Sequence, residues 1–126
     1  MSEDQIRSIG NDWNEFINIG DIDSIVALYA EDGQFLIPGR PAIVGRDAIR
    51  SVWQGLLAMP GFGLVLTPEE VIVDGALAMD RGTYRLSATP PEGDFVDTGK
   101  YLVAWQRTAA GWRVRADMIN SDSAPG

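Results

Sequence analysis

The apolar residues of this chain change their spacing at Gly61, and this change limits the folds that the chain can adopt. Before Gly61 they recur three and four positions apart, which is typical of amphipathic helices. After Gly61 they alternate or form short runs between turn residues, which is typical of strands. Helices followed by strands predict an α+β fold with an antiparallel sheet. We expect one domain over residues 1–122 and a loose C-terminal tail over 123–126.

Three helices are predicted before Gly61. The first ends at Gly20, and the second begins after the capping residue Asp21 and ends at Gly33. The third opens near Arg46 and closes at Pro60.

The predicted strands cover 34–38, 62–73, 77–86, 96–107 and 112–121. Asp74-Gly75 predicts a type I′ hairpin turn between the second and third of these strands. Because a sheet of this length twists and curls, we expect the three helices to pack in its concave face. The result is a cone-shaped half-barrel, whose open end leaves an apolar pocket.

The charge and two missing residue types narrow the possible functions. The net charge of −8 disfavours nucleic acid and anionic membranes as partners. The chain has no Cys and no His, which removes thiolate chemistry and the usual zinc ligands. We therefore expect no metal and no cofactor, and any catalysis must use Asp, Glu, Tyr, Lys or Arg. The sequence has neither an apolar leader nor a long apolar run, so a cytoplasmic location is predicted.

Several short motifs resemble those of one superfamily. Gly20-Asp21-Ile22-Asp23, Leu28 to Gly33 and Gly45 to Ile49 resemble the nuclear transport factor 2-like superfamily. Gly99 to Val103 and Gly111 to Val114 are similar to its SnoaL-like branch of ketosteroid isomerase homologues, as is the end of the chain from Asp117 to Asp122. The resemblance covers nearly the whole chain and implies the cone fold with a pocket. It also implies a homodimer formed through the outer face of the sheet.

The resemblance does not extend to the catalytic trio of ketosteroid isomerase. The positions of its tyrosine, its carboxylate base and its protonated aspartate fall on Trp13, Ile37 and Leu102. Because none of these side chains can do the acid–base work, we do not expect steroid isomerisation by that mechanism.

The resemblance also indicates which side chains face the pocket. Asp117 is the candidate catalytic base, and the alternative is an ion pair with Lys100 or an arginine that holds the sheet register. Arg81 and Lys100 either join Asp117 around a ligand carboxylate or enolate, or extend to solvent. The candidate ligand-binding residues are Trp13, Phe16, Ile37, Trp53, Met79, Arg81, Lys100, Leu102, Ile119 and Asn120.

Three functions remain open on this reasoning. The first is an isomerase, cyclase or dehydratase that acts on a small hydrophobic polyketide- or steroid-like molecule. The second is a non-catalytic module that binds a small hydrophobic ligand. The third is a protein-interaction or oligomerisation domain with a vestigial cavity. Trp105 and Trp112, which flank the final turn, belong either to the core or to a contact with a second subunit.

Overall fold

The computed structural model describes residues 2–123, and it places two helices, a short strand pair, a third helix and four long strands in that order. The helices are α1 (Ser2–Ile19), α2 (Ile22–Ala27) and α3 (Arg46–Leu57). The strands are β1 (Tyr29–Leu36), β2 (Ile43–Val44), β3 (Gly63–Asp74), β4 (Leu77–Ala88), β5 (Phe95–Thr108) and β6 (Gly111–Ser121). The last three residues, which include most of the predicted tail, lie outside the described residues.

The strands form one six-stranded sheet in the order β2-β1-β6-β5-β4-β3. Its pairs are antiparallel except for β1 and β6, which run parallel. The long strands curl around the helices, so the predicted α+β fold with helices in the concave face of a curved sheet is confirmed. The sequence predicted an antiparallel sheet, and the parallel pairing of β1 with β6 departs from that prediction.

The core lies between the concave face of the sheet and the apolar face of α1. Ile6, Trp13 and Ile17 are buried on α1, since they fall on one helical face. Ile49 and Trp53 are the corresponding buried residues of α3. Trp13 stands edge-on to the ring of Tyr29, with 5.5 Å between the ring centroids. The ring of Trp53 stacks on Phe35 of β1 with 5.8 Å between the ring centroids, so aromatic contacts join both helices to the sheet.

The second helix is shorter than predicted. Tyr29 is the first residue of β1, where it is fully buried, and not the last apolar residue of a helix. The chain therefore leaves the helix after Ala27, and the backbone carbonyl of Tyr29 accepts hydrogen bonds from Arg46 at 2.8 and 2.9 Å. Gly33 lies inside β1, where a side chain would meet the carbonyl of Val114. Pairing with β6 thus overrides the local helical pattern.

The hairpin between β3 and β4 turns one residue later than predicted. Asp74 pairs with Leu77, so the two turn residues are Gly75 and Ala76. Gly75 has φ of +62°, whereas no residue other than glycine among those described has positive φ. Positive φ at the first turn residue alone fits type II′ and not type I′, which needs it at both positions.

Trp105 and Trp112 are buried within the chain, with exposed fractions of 0% and 4%. They are core residues, and the alternative that they form a subunit interface is wrong. Within the described residues, no helix combines the length and the apolar character needed to traverse a bilayer.

Candidate ligand pocket

A cavity of about 40 Å³ lies between α1, α3 and the concave face of the sheet. Its wall is almost entirely apolar and aromatic, with one carboxylate. The lining residues are Trp13, Ile17, Phe35, Trp53, Leu56, Phe62, Leu64, Leu66, Tyr84, Leu86, Tyr101, Val103, Asp117 and Ile119. A space of this size holds one or two water molecules. A larger ligand therefore needs lining side chains to move, and Leu56, Phe62, Leu64 and Leu86 are only half-buried.

Asp117 is the carboxylate of this cavity, and Tyr29 is its hydrogen-bond donor. Its side chain is 5% exposed and accepts a hydrogen bond at Oδ2 from the Tyr29 hydroxyl at 2.8 Å. The indole Nε1 of Trp53 donates in turn to the Tyr29 oxygen at 3.2 Å. Among the described residues, no hydrogen bond reaches Oδ1 of Asp117 and no basic side chain pairs with it. The alternative of an ion pair with Lys100 or an arginine is thus not what the structure shows.

The surroundings of Asp117 favour its protonated form. Burial raises the pKa of Asp117 to about 7, the hydrogen bond from Tyr29 lowers it, and the charge of Asp80 raises it. Burial and the charge of Asp117 likewise raise the pKa of Tyr29, so that its hydroxyl stays a donor. A carboxyl group with a pKa near neutrality can both accept and release a proton at physiological pH.

Asp80 is a second buried carboxylate, which the sequence analysis missed. It is 6% exposed and accepts hydrogen bonds from the Tyr101 hydroxyl at 3.1 Å and from Trp105 Nε1 at 3.3 Å. Burial raises its pKa, against the effect of both hydrogen bonds. The sequence does contain a signal for Asp80, because this residue alternates with the small residues Ala78 and Gly82 on β4. The prediction instead took the face of Met79 and Arg81 as the inner one.

A third carboxylate lies farther along the concave face. Asp97 is opposite Leu86, which lines the cavity, and it is half-buried. It accepts hydrogen bonds from the Tyr84 hydroxyl at 2.8 Å and from Ser121 Oγ at 2.6 Å. Tyr84 is itself a lining residue, so this cluster borders the cavity on the side away from Asp80.

Four of the predicted site residues line the cavity: Trp13, Trp53, Asp117 and Ile119. Phe16 and Ile37 are half-buried and pack against the core, but they do not line it. The Nε1 atom of Trp13 is buried and has no hydrogen-bond partner among the residues described. Because this atom is not accessible, Trp13 offers no donor to a ligand.

The other five predicted site residues lie on the outer face of the sheet: Met79, Arg81, Lys100, Leu102 and Asn120. Leu102 is 44% exposed, whereas its neighbours Tyr101 and Val103 are buried. Lys100 pairs with Asp122 at 2.9 Å, and Arg81 pairs with Glu69 and Glu70. Their assignment to the pocket is wrong because side chains alternate along a strand, and an offset of one residue exchanges the two faces.

This correction reverses the electrostatics predicted for the pocket. The expected pair of basic groups beside Asp117 lies on the far side of the sheet. The concave face instead presents Asp80, Asp97 and Asp117. The inward positions of β5 near Leu102 are Tyr101 and Val103, so that strand places no aspartate beside the cavity there. The position of the protonated aspartate of ketosteroid isomerase therefore carries no aspartate, whichever of these three residues of β5 is its counterpart.

The architecture is that of a nuclear transport factor 2-like cone. A ketosteroid isomerase-like protein from Erwinia carotovora atroseptica superposes with a TM-score of 0.87 at 23% identity, over 98% of each chain. A nuclear transport factor 2-like superfamily protein from Salmonella enterica serovar Typhimurium superposes with a TM-score of 0.85 at 18% identity, over 98% of this chain and 93% of its own. At these identities the likeness shows the fold.

A family model described as the SnoaL-like domain matches residues 11–121. The chain therefore belongs to the SnoaL-like family of the nuclear transport factor 2-like superfamily. No curated protein matches the chain.

Proposed function

We propose that this protein binds a small apolar molecule in the cavity and that Asp117 exchanges a proton with it. The reaction would be of the isomerase or lyase type and would use neither a metal nor a cofactor. One observation carries this proposal: a carboxylate in an apolar cavity, hydrogen-bonded by Tyr29 and paired with no cation among the described residues.

The surroundings of Asp117 suit acid–base chemistry. A pKa of about 7 places the group where general acid–base catalysis is most effective. The bonds from Trp53 to Tyr29 and from Tyr29 to Asp117 hold the carboxyl in one orientation. The apolar wall keeps water away from the reacting atoms.

The volume of the cavity limits the ligand. A polyketide- or steroid-sized molecule fits only if the half-buried side chains of Leu56, Phe62, Leu64 and Leu86 move aside. A smaller apolar molecule needs less movement, and we favour it.

Native mass spectrometry of protein purified from cell extract tests the binding. The expected result is a bound small molecule that is lost in Ile119→Phe, which fills the cavity. Val65→Phe is the matched control, because Val65 is a branched aliphatic residue that is 54% exposed on the outer face of β3, between the lining residues Leu64 and Leu66. Equal ligand retention by the two variants would show that the molecule binds elsewhere.

Incubation of the copurified molecule with the protein in D2O tests the proton exchange. Wild type should introduce deuterium into C–H bonds of the molecule, since N–H and O–H groups exchange with D2O without the protein. Asp117→Asn should reduce the rate of this exchange by at least about 100-fold. Asp122→Asn is the control, since Asp122 is an exposed carboxylate paired with Lys100. Binding without deuterium uptake by wild type would support the alternative of a non-catalytic binding module.

We also propose that the protein is a homodimer. Leu102 and Met118 are directly paired on neighbouring strands and are 44% and 46% exposed on the outer face. Covering them with a second copy would bury apolar surface. Analytical ultracentrifugation should show a dimer for wild type and a monomer for Leu102→Lys/Met118→Lys, and a monomeric wild type would refute this. The cytoplasmic location stays a prediction from the sequence.

A further inference from the structure

All three carboxylates of the concave face have partners of the same kind, namely aromatic side chains and hydroxyl donors. Asp80 is held by Tyr101 and Trp105, and Asp97 is held by Tyr84 and Ser121. Asp117, which lies in the cavity wall, is held by Tyr29 alone. Its second oxygen, Oδ1, has no hydrogen-bond partner among the described residues, although the side chain is 95% buried.

No basic side chain neutralises these groups from inside. In the part of the chain that the structure describes, none of the six ion pairs includes Asp80, Asp97 or Asp117. The charge of Arg7 acts on Asp80, but its guanidinium pairs with Glu3 at 3.4 Å. Lys100 and Arg81 are paired on the outer face.

The wall of the cavity is also rich in aromatic rings. Six of the fourteen lining residues are aromatic: Trp13, Phe35, Trp53, Phe62, Tyr84 and Tyr101. Aromatic faces attract organic cations, most strongly when water is excluded. Carboxylates in a cleft with low-dielectric walls also attract cations, and more strongly than they do in water.

We infer that the molecule bound in this pocket is a small organic cation, an apolar skeleton that carries a protonated amine which pairs with Asp117. This inference rests on the pocket of the proposed function and names the chemical class of its ligand. A carboxylate or enolate would add a negative charge to a region that already holds three acidic groups and no bonded cation. An ammonium group supplies the missing counter-charge and donates to Oδ1.

An organic cation fits better than a metal ion. The three carboxylates lie apart along the concave face, and no group of three or more acidic side chains among the described residues is placed to hold a metal. Asp80 and Asp97 also have their hydrogen bonds from protein donors. Asp117 alone is available to a ligand, and it lies among apolar side chains.

Three probes of one skeleton test the inference: benzylamine, benzyl alcohol and benzoate, each titrated into the purified protein by isothermal calorimetry. We expect benzylamine to bind at least about tenfold more tightly than benzyl alcohol, and benzoate to bind most weakly. Asp117→Asn should abolish the preference for the amine while leaving benzyl alcohol binding intact. Asp122→Asn, which removes an exposed carboxylate, should keep the preference.

The outcomes separate the ligand class from the pocket itself. If benzyl alcohol or benzoate binds as tightly as benzylamine and Ile119→Phe blocks it, the cation assignment is wrong and the pocket stands. The highest probe concentration is 10 mM, which is on the order of the Kd of the weakest specific complexes. If no probe binds wild type at that concentration, the cation assignment and the pocket are both refuted. Amine binding that Ile119→Phe leaves unchanged would place the amine on the surface and overturn the inference.

Discussion

Asp80 on β4 and Asp117 on β6 lie in one row across the sheet, each directly opposite Val103 on the strand between them. Two strand spacings separate their backbones, which corresponds to about 10 Å. Both side chains are buried on the concave face, and neither is paired with a base among the described residues. The charge of Asp80 therefore raises the cost of ionising Asp117 across an apolar residue.

Asp80→Asn should lower the pKa of Asp117, because the charge of Asp80 is one of the causes that raise it. The Asn side chain keeps the shape and one acceptor for the donors Tyr101 and Trp105. The measurement is an NMR titration of the Asp117 carboxyl carbon. Asp122→Asn should leave that titration unchanged, and an unchanged pKa in Asp80→Asn would show that the two sites do not interact.

Asp117→Asn should make stability less dependent on pH. The folded pKa of about 7 lies above the ordinary value of 3.8, so the native state binds the proton more tightly than the unfolded chain. This contribution is fully present below about pH 4 and is lost as the pH rises to about 7. Urea unfolding of wild type should therefore show a loss of roughly 2–3 kcal/mol between pH 5 and 8 that Asp117→Asn does not show. Parallel pH profiles for the two proteins would contradict the raised pKa.

Tyr29→Phe should raise the pKa of Asp117 further and destabilise the fold. The hydroxyl donates to Asp117 and accepts from Trp53, so its removal leaves two buried polar groups without a partner. A loss of about 1–3 kcal/mol is expected from chemical denaturation. Tyr84→Phe should cost less, because Asp97 keeps its hydrogen bond from Ser121. An equal cost for both variants would count against a special role for Tyr29.

Val103→Ala and Leu102→Ala test which face of β5 is the inner one. Val103 is 1% exposed, and its truncation should cost about 1–2 kcal/mol of unfolding free energy. Leu102 is 44% exposed, so its truncation should change the monomer's stability by less than about 0.5 kcal/mol. The comparison belongs at low protein concentration, where dimerisation does not contribute. The reverse ranking would exchange the two faces of the strand.

Two glycine substitutions should have opposite effects. Gly10→Ala lies within α1 with no atom within 4 Å of the added Cβ, so it should stabilise the protein by about 0.5–1 kcal/mol. Gly99→Ala would force a Cβ into the ring of Tyr84 and the carbonyl of Asn120. Thermal unfolding should show a higher Tm for the first variant and a lower Tm for the second. A tolerated Gly99→Ala would show that both the ring of Tyr84 and the backbone at Asn120 can move away from the added Cβ.

The local spacing of apolar residues predicts most of the helices and strands. It fails where pairing between distant strands decides the local structure. The apolar spacing correctly predicts α1 and α3, since each helix buries the face that its own sequence makes apolar. Tyr29 fits a helical spacing equally well, and its place in β1 depends on β6, which lies more than 80 residues later. The sequence indicates Asp117 as a candidate site residue, because an acidic residue between Ala116 and Met118 on a long strand is expected to be buried and either paired or facing a cavity.

The sequence alone predicts the α+β class and the family, and it makes Asp117 a candidate for a buried carboxylate. The tertiary structure decided which face of β4 and β5 is inside, and with it the sign of the pocket's charge. The reason is that a strand's two faces differ by a shift of one residue, while the buried face is chosen by helices packed from elsewhere in the chain. Register and curvature bring Asp80 and Asp117 into one row and carry Lys100 and Arg81 to the outside.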